Sequence, residues 1–137
     1  MSIAYLKRRV TLCASHRLHS SDLSDEENRR IFDKCNRPNG HGHNYSIEVT
    51  LRGEVDPKTG MIMNLIDLND ILERTVVSEM DHKHLNLDVP FFANLNPTAE
   101  NIAITVWKLV EPHLPSKVLY EVTVQETENN EAKYRGE

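Results

Sequence analysis

Along residues 5 to 18 the chain alternates, with Val10, Leu12, Ala14 and His16 on one parity and Thr11, Cys13 and Ser15 on the other. A period of two predicts a strand that buries its first row. The same alternation returns from about His43 to Glu54, through Tyr45, Ile47, Val49 and Leu51, and His41 extends it backwards. A last strand is predicted from about Lys117 to Glu126, with Val118, Tyr120, Val122, Val124 and Glu126 sharing a parity. Asp56-Pro57-Lys58-Thr59-Gly60 is turn chemistry, so Met61 to Leu65 is predicted to return as a strand and close a hairpin.

Helical spacing takes over elsewhere. Ser24 with Glu27 three residues on forms a capping box and predicts a polar surface helix from Asp25 to about Lys34. Asp67 is predicted to open a second helix that carries Leu68, Ile71, Leu72 and Val76 and fades near Met80. Thr98 caps a third, striped by Ile102, Val106, Leu109 and Val110 and ended by Pro112 and Pro115. The tail from Thr127 is polar and reads as an adjunct. Four antiparallel strands with two amphipathic helices on one face make an α+β plan in a single domain, residues 1–137. Such a sheet has edges to protect, and oligomerisation is one way to protect them.

Bulk properties narrow the function. The net charge of −5 disfavours nucleic acid and anionic membranes as partners, and an anionic small substrate would need a local basic cluster. Two cysteines do not make a disulfide framework, no secretory pattern follows Lys7-Arg8-Arg9, and no apolar stretch is long enough to span a bilayer. The expectation is a soluble cytoplasmic protein.

Six of the seven histidines fall in three short clusters, His16/His19, His41/His43 and His82/His84. In a strand, His41 and His43 point the same way. His16 ends a matching apolar row, whereas His19 falls on the opposite parity and is the weaker candidate. Three imidazoles suit zinc and leave a fourth position open, which is a catalytic arrangement. Cys35 lies upstream across a Pro-Asn-Gly turn, and Lys34 and Arg37 beside it predict a lowered thiol pKa and a base or nucleophile. Asp81-His82 reads locally as a solvated helix-end loop, with a carboxylate-oriented proton shuttle as the functional reading. Glu126 is a carboxylate on an apolar parity and needs a donor partner, from the protein or from a ligand.

Several ordered motifs carry a resemblance over nearly the whole chain: Ala14-Ser15-His16-Arg17-Leu18, Ser24-Asp25-Glu26-Glu27-Asn28, Lys34-Cys35-Asn36 and Pro38-Asn39-Gly40-His41-Gly42-His43-Asn44-Tyr45. Asp56-Pro57-Lys58-Thr59-Gly60-Met61, Asp81-His82-Lys83, Leu85-Asn86, Thr98-Ala99-Glu100-Asn101 and Gln125-Glu126-Thr127 complete it. The chain resembles the 6-pyruvoyl-tetrahydropterin synthase family. The resemblance implies a tunnelling fold of ββααββ outline, trimers that close a β-barrel, and a homohexamer of two trimers with active sites between subunits. It implies a lyase that turns 7,8-dihydroneopterin triphosphate into 6-pyruvoyl-tetrahydropterin, in tetrahydrobiopterin biosynthesis. Zinc would sit on His16, His41 and His43. Cys35, Asp81 and His82 would be catalytic, and Glu126, Thr98 and Glu100 would hold the pterin. Lys34, Arg37 and Lys83 are candidates for the triphosphate by proximity alone.

Three rival readings remain. The 6-carboxy-tetrahydropterin synthases share the implied fold and substrate, but their cysteine precedes the His-Gly-His by a shorter gap than the five residues here. A non-catalytic, zinc-stabilised pterin-binding module would leave Cys35 and Asp81-His82 without a joint purpose. A metal hydrolase ranks last, because the chain has no His-Glu-x-x-His or comparable motif.

Overall fold

The computed structural model describes residues 1–137. Five strands form one mixed sheet, built on β1 (Ile3–His16) and β2 (His41–Glu54). These two run antiparallel in continuous register, from Ile3 opposite Glu54 to His16 opposite His41. Between them lie helix α1 (Asp25–Phe32) and a 3-10 turn, Asp33–Asn36. The predicted capping box of Ser24 and Glu27 is formed. The alternating rows bury as expected: Val10, Leu12, Ala14, Tyr45, Ile47, Val49 and Leu51 all enter the core. Each large apolar side chain so removed from water contributes about 1.5–3 kcal/mol before entropy is charged against it.

The predicted strand at Met61–Leu65 does not form. Asn64 caps α2 (Leu65–Leu72) through its side-chain oxygen, which accepts from the Ile66 N–H at 2.9 Å, so the helix opens before Asp67. The apolar run pairs no ladder and serves as packing instead: Ile62 lies against Gly53 of β2. The turn ahead of it does form, with the Gly60 N–H donating to the Asp56 carbonyl at 2.7 Å, but the Asn64 cap starts a helix where a strand would continue. The helix continues through a π-helical segment, Glu73–Val77, into α3 (Ser78–Met80).

A two-residue strand, β3 (Lys83–His84), then runs parallel to β1 beside Ala14 and Ser15. Short helix α4 (Leu85–Asp88) and a 3-10 turn at Pro90–Phe92 lead to α5 (Ala99–Val110), capped by Thr98 as predicted. Strand β4 (Leu119–Thr127) pairs with β2 through a bulge near Tyr120. The bulge shifts the parity, so Leu119 rather than Val118 or Tyr120 faces the core opposite Leu51. Beyond the bulge Val122, Val124 and Glu126 keep the expected parity.

The tail is no adjunct. β5 (Asn130–Tyr134) pairs antiparallel with β4, and Tyr134 meets Trp107 of α5 edge-on at 5.5 Å. Ala132 and Tyr134 alternate with Glu131 and Lys133, a two-residue period that the tail's polarity obscured. The sheet order is therefore β3-β1-β2-β4-β5 rather than four strands, with β3 the one parallel member. α2 packs on β1, and α5 on β4 and β5. No helix is long and apolar enough to cross a membrane.

Candidate active site

The β1–β2 register assembles the histidines. His16 and His41 are direct cross-strand partners, and His43 lies opposite Ala14, so all three share the core-facing side of the sheet at one end. One ligand atom from each can be chosen so that all lie within 4.8 Å of one another. The Nε2 atoms of His16 and His41 are 3.1 Å apart. Two nitrogens on one tetrahedral zinc, each at about 2.0–2.1 Å, stand about 3.4 Å from each other, so the pair is already near ligand spacing.

His16 is fully buried, and its Nδ1 lies 2.8 Å from the Pro97 carbonyl. A carbonyl only accepts, so Nδ1 carries the proton and the Nε2 lone pair is left for the cluster. Burial above all, with the neighbouring His41, His43 and His84, outweighs that carbonyl and lowers the His16 pKa to about 4. Burial and His43 lower His41 as well. Both shifts favour the neutral ring, the state that binds metal. His43 Nε2 is buried without a hydrogen-bond partner, an orphan that a metal ion would satisfy. Neutral nitrogens, a fixed tautomer and this orphan fit a zinc ion.

Around the cluster stand three further groups. Glu126 on β4 brings its carboxylate to 3.6 Å from His43 Nε2 and 4.0 Å from His16 Nε2. Tyr45 is buried with its hydroxyl 3.2 Å from His16 Nδ1, and burial pushes its phenol upward, aided by Glu126 and Cys35. Cys35 is half-buried in the 3-10 turn, and its carbonyl accepts from the Leu18 N–H at 2.8 Å. Contrary to expectation its thiol pKa is raised. Burial is the main cause, followed by the negative charges of Glu126 and Asp33.

Asp81 and His82 pair directly, despite being adjacent: His82 Nδ1 lies 3.0 Å from Asp81 Oδ1. The pair is clamped to the outer edge of β1. Cys13 N–H donates to Asp81 Oδ1 at 2.9 Å, and the His82 N–H donates to the Cys13 carbonyl at 2.6 Å. His82 takes a left-handed backbone, φ 61°, to do so. The Cys13 hydrogen bond is the main reason that the Asp81 carboxyl is held below its ordinary range, with His82 adding to it. No hydrogen bond or ion pair joins Asp81 or His82 to Cys35 within the chain. Thr98 spends its hydroxyl lone pair on the Asn101 N–H at 3.2 Å, and Glu100 is exposed in the first turn of α5.

A polar cleft of about 610 Å³ is walled by Arg17, His19, His84, Asn86 and Asn96 among others. Lys34, Arg37 and Lys83 are not part of its wall. Pro97 was not legible as a site residue, because its contribution is a backbone carbonyl. Tyr45 sat in the alternating row and could have been read two residues beyond His43.

An α+β sheet whose end carries a partly buried three-histidine cluster, with a thiol and a carboxylate at hand, is an arrangement that can hold a metal ion beside acid–base groups. Residues 5–137 match the family described as 6-pyruvoyl tetrahydropterin synthase. The human 6-pyruvoyl tetrahydrobiopterin synthase is 52% identical over 134 residues, covering 98% of this chain and 92% of the relative. The Drosophila melanogaster protein of that name is 46% identical, over 98% of this chain and 80% of its own length. The solved structure of Caenorhabditis elegans 6-pyruvoyl tetrahydropterin synthase superposes with a TM-score of 0.96 at 43% identity, covering 100% of this chain and 98% of that one. The chain belongs to the 6-pyruvoyl tetrahydropterin synthase family of enzymes.

Proposed function

We propose that the chain is a zinc-dependent lyase that converts 7,8-dihydroneopterin triphosphate to 6-pyruvoyl-tetrahydropterin with loss of triphosphate, acting in the cytoplasm. The observation that carries this is the His16, His41 and His43 cluster with Glu126 beside it, in a chain of this family. Zinc on the three imidazoles would supply Lewis acidity to side-chain oxygens of the substrate and acidify the neighbouring C–H bonds.

Cys35 takes one such proton, and the electron pair left on carbon expels the triphosphate. The remaining steps only move protons: the side chain is oxidised as the ring is reduced, so no nicotinamide enters. Because the thiol is held protonated in the isolated chain, it needs a proton acceptor, and His82 oriented by Asp81 has that chemistry. Within one chain the pair sits at the edge of β1, apart from Cys35. In this reading it serves a neighbour's Cys35 across a subunit boundary. The free stretch of the β1 edge, which β3 covers only at Ala14 and Ser15, and the outer edge of β5 support trimers that pair edge to edge. Two trimers then form a homohexamer. Glu126 accepts from pterin N–H groups, with Thr98 and Glu100 adding contacts.

The test is to incubate zinc-loaded protein with 7,8-dihydroneopterin triphosphate and follow triphosphate release and product mass. A pyruvoyl product is expected. Acetaldehyde with a carboxy product assigns the chain to the sister activity instead. No turnover with zinc bound overturns the catalytic reading.

A further inference from the structure

Cys35 and His16 lie on different segments, and nothing in the histidine cluster itself fixes the distance between them. What joins the two segments is a set of hydrogen bonds centred on one buried residue, Asn36. Asn36 is 4% exposed, in a loop whose other polar residues face water. Its Nδ2 donates to the Leu18 carbonyl at 2.7 Å and to His19 Nδ1 at 2.9 Å. Its backbone carbonyl accepts from Arg17 Nε at 2.9 Å. The Leu18 N–H donates in turn to the Cys35 carbonyl at 2.8 Å. Four hydrogen bonds thus tie Cys35 and Asn36 to Arg17, Leu18 and His19, the three residues that leave β1 directly after His16.

Both N–H bonds of the amide are used, and on different acceptors. A carboxylate of the same shape would face a carbonyl and an imidazole lone pair with no proton to give. The bond to His19 also fixes that ring with Nδ1 unprotonated and its proton on Nε2. Hence His19, off-parity for the metal, has a role beside it.

We propose that Asn36 is a positioning residue for the reaction, setting the Cys35 thiol against the metal-binding His16 through the 17–19 segment, with His19 as its anchor. This rests on the reading of Cys35 as the base, but the geometric part is separable from it. A thiol displaced by about an ångström loses around a hundredfold in rate without losing its substrate.

The experiment uses the zinc-loaded full chain carrying Asn36→Ala, His19→Leu or His19→Asn. It reads kcat, KM, bound zinc, and the iodoacetamide alkylation rate of Cys35 resolved from Cys13 by peptide mass. Asn36→Ala is expected to lower kcat about ten- to a hundredfold with KM within about twofold. Zinc content should stay as in the parent, and Cys35 alkylation should rise by about threefold or more as the turn loosens. His19→Leu should move kcat and alkylation in the same directions by less. His19→Asn, whose side-chain oxygen can replace Nδ1 as acceptor, should restore them.

Unchanged alkylation and kcat in Asn36→Ala overturn the proposal. So does a loss of zinc in step with kcat, which would make Asn36 a residue of general folding. Should Asn36→Ala not fold, His19→Leu decides: parental alkylation overturns the proposal and faster alkylation upholds it. If Cys35→Ala keeps full turnover while Asn36→Ala still speeds alkylation, the positioning stands and the catalytic reading of Cys35 falls.

Discussion

His16 and His41 face each other across β1 and β2, the last of the paired positions at that end, with their Nε2 atoms 3.1 Å apart. Two lone pairs cannot share that distance without a proton or a cation between them. The unbroken register of the two longest strands therefore ends in a site that holds either a shared proton or a cation.

Replacing any one of the three imidazoles should abolish tight metal binding. Outer partners of metal ligands already cost about 10–100-fold when removed, so loss of a ligand costs more. His43→Ala is the cleanest choice, because His43 is less buried than His16. Zinc per chain after dialysis, by atomic spectroscopy, should fall from stoichiometric to background while the helical circular dichroism is kept.

Without metal, stability should depend on pH through His16. Its folded pKa of about 4 lies below the ordinary 6.5, so the unfolded chain takes up the proton first as pH falls. The contribution is fully present above about pH 6.5, declines between there and pH 4, and changes no further below that. Its order of magnitude is about 3 kcal/mol. Denaturant midpoints of the metal-free protein between pH 7 and 4 measure it, and His16→Gln should flatten the slope.

Gly40 holds the approach to His41. Its φ is +74°, and an added Cβ would meet the His16 carbonyl oxygen at 2.7 Å and His84 Nε2 at 3.0 Å. Gly40→Ala should cost about 2–3 kcal/mol and displace His41. Thermal unfolding should show the loss of stability, and a zinc titration the weaker site. A variant with parental values in both would remove any need for glycine there.

Cys35→Ala should keep zinc and pterin binding but lose about 10²–10⁴-fold in kcat. Steady-state rates alongside equilibrium binding of a dihydropterin distinguish this from a loss of substrate. Retained turnover takes Cys35 out of the mechanism.

If Asp81 serves the Cys35 of another subunit, two inactive proteins should rescue each other. Cys35→Ala mixed with Asp81→Asn, unfolded and reassembled together, should recover about a quarter of parental activity by random pairing. No recovery, with mixed oligomers verified by mass, would place the whole site within one chain.

The sequence alone carried the two long strands, because alternation over many residues leaves one way to bury the apolar row. It carried the Ser24 and Thr98 caps, whose hydrogen bonds span three residues, and the histidines, because parity aims side chains without reference to the rest of the fold. Where contacts are distant, local pattern failed. Met61–Leu65 is an apolar run after a turn, as a returning strand would be, yet Asn64 turned its end into a helix entry, and the polar tail became β5 because β4 offered an unpaired edge. Tyr120 lost its predicted face to a bulge in the ladder with β2. The Cys35 pKa went against the cations beside it in the chain: burial raises it first, then Glu126, which is close only in the fold, and then Asp33. Periodicity and capping are short-range, so sequence holds them. Register, edges and electrostatic fields arise between segments far apart in the chain, and only the tertiary structure decides them.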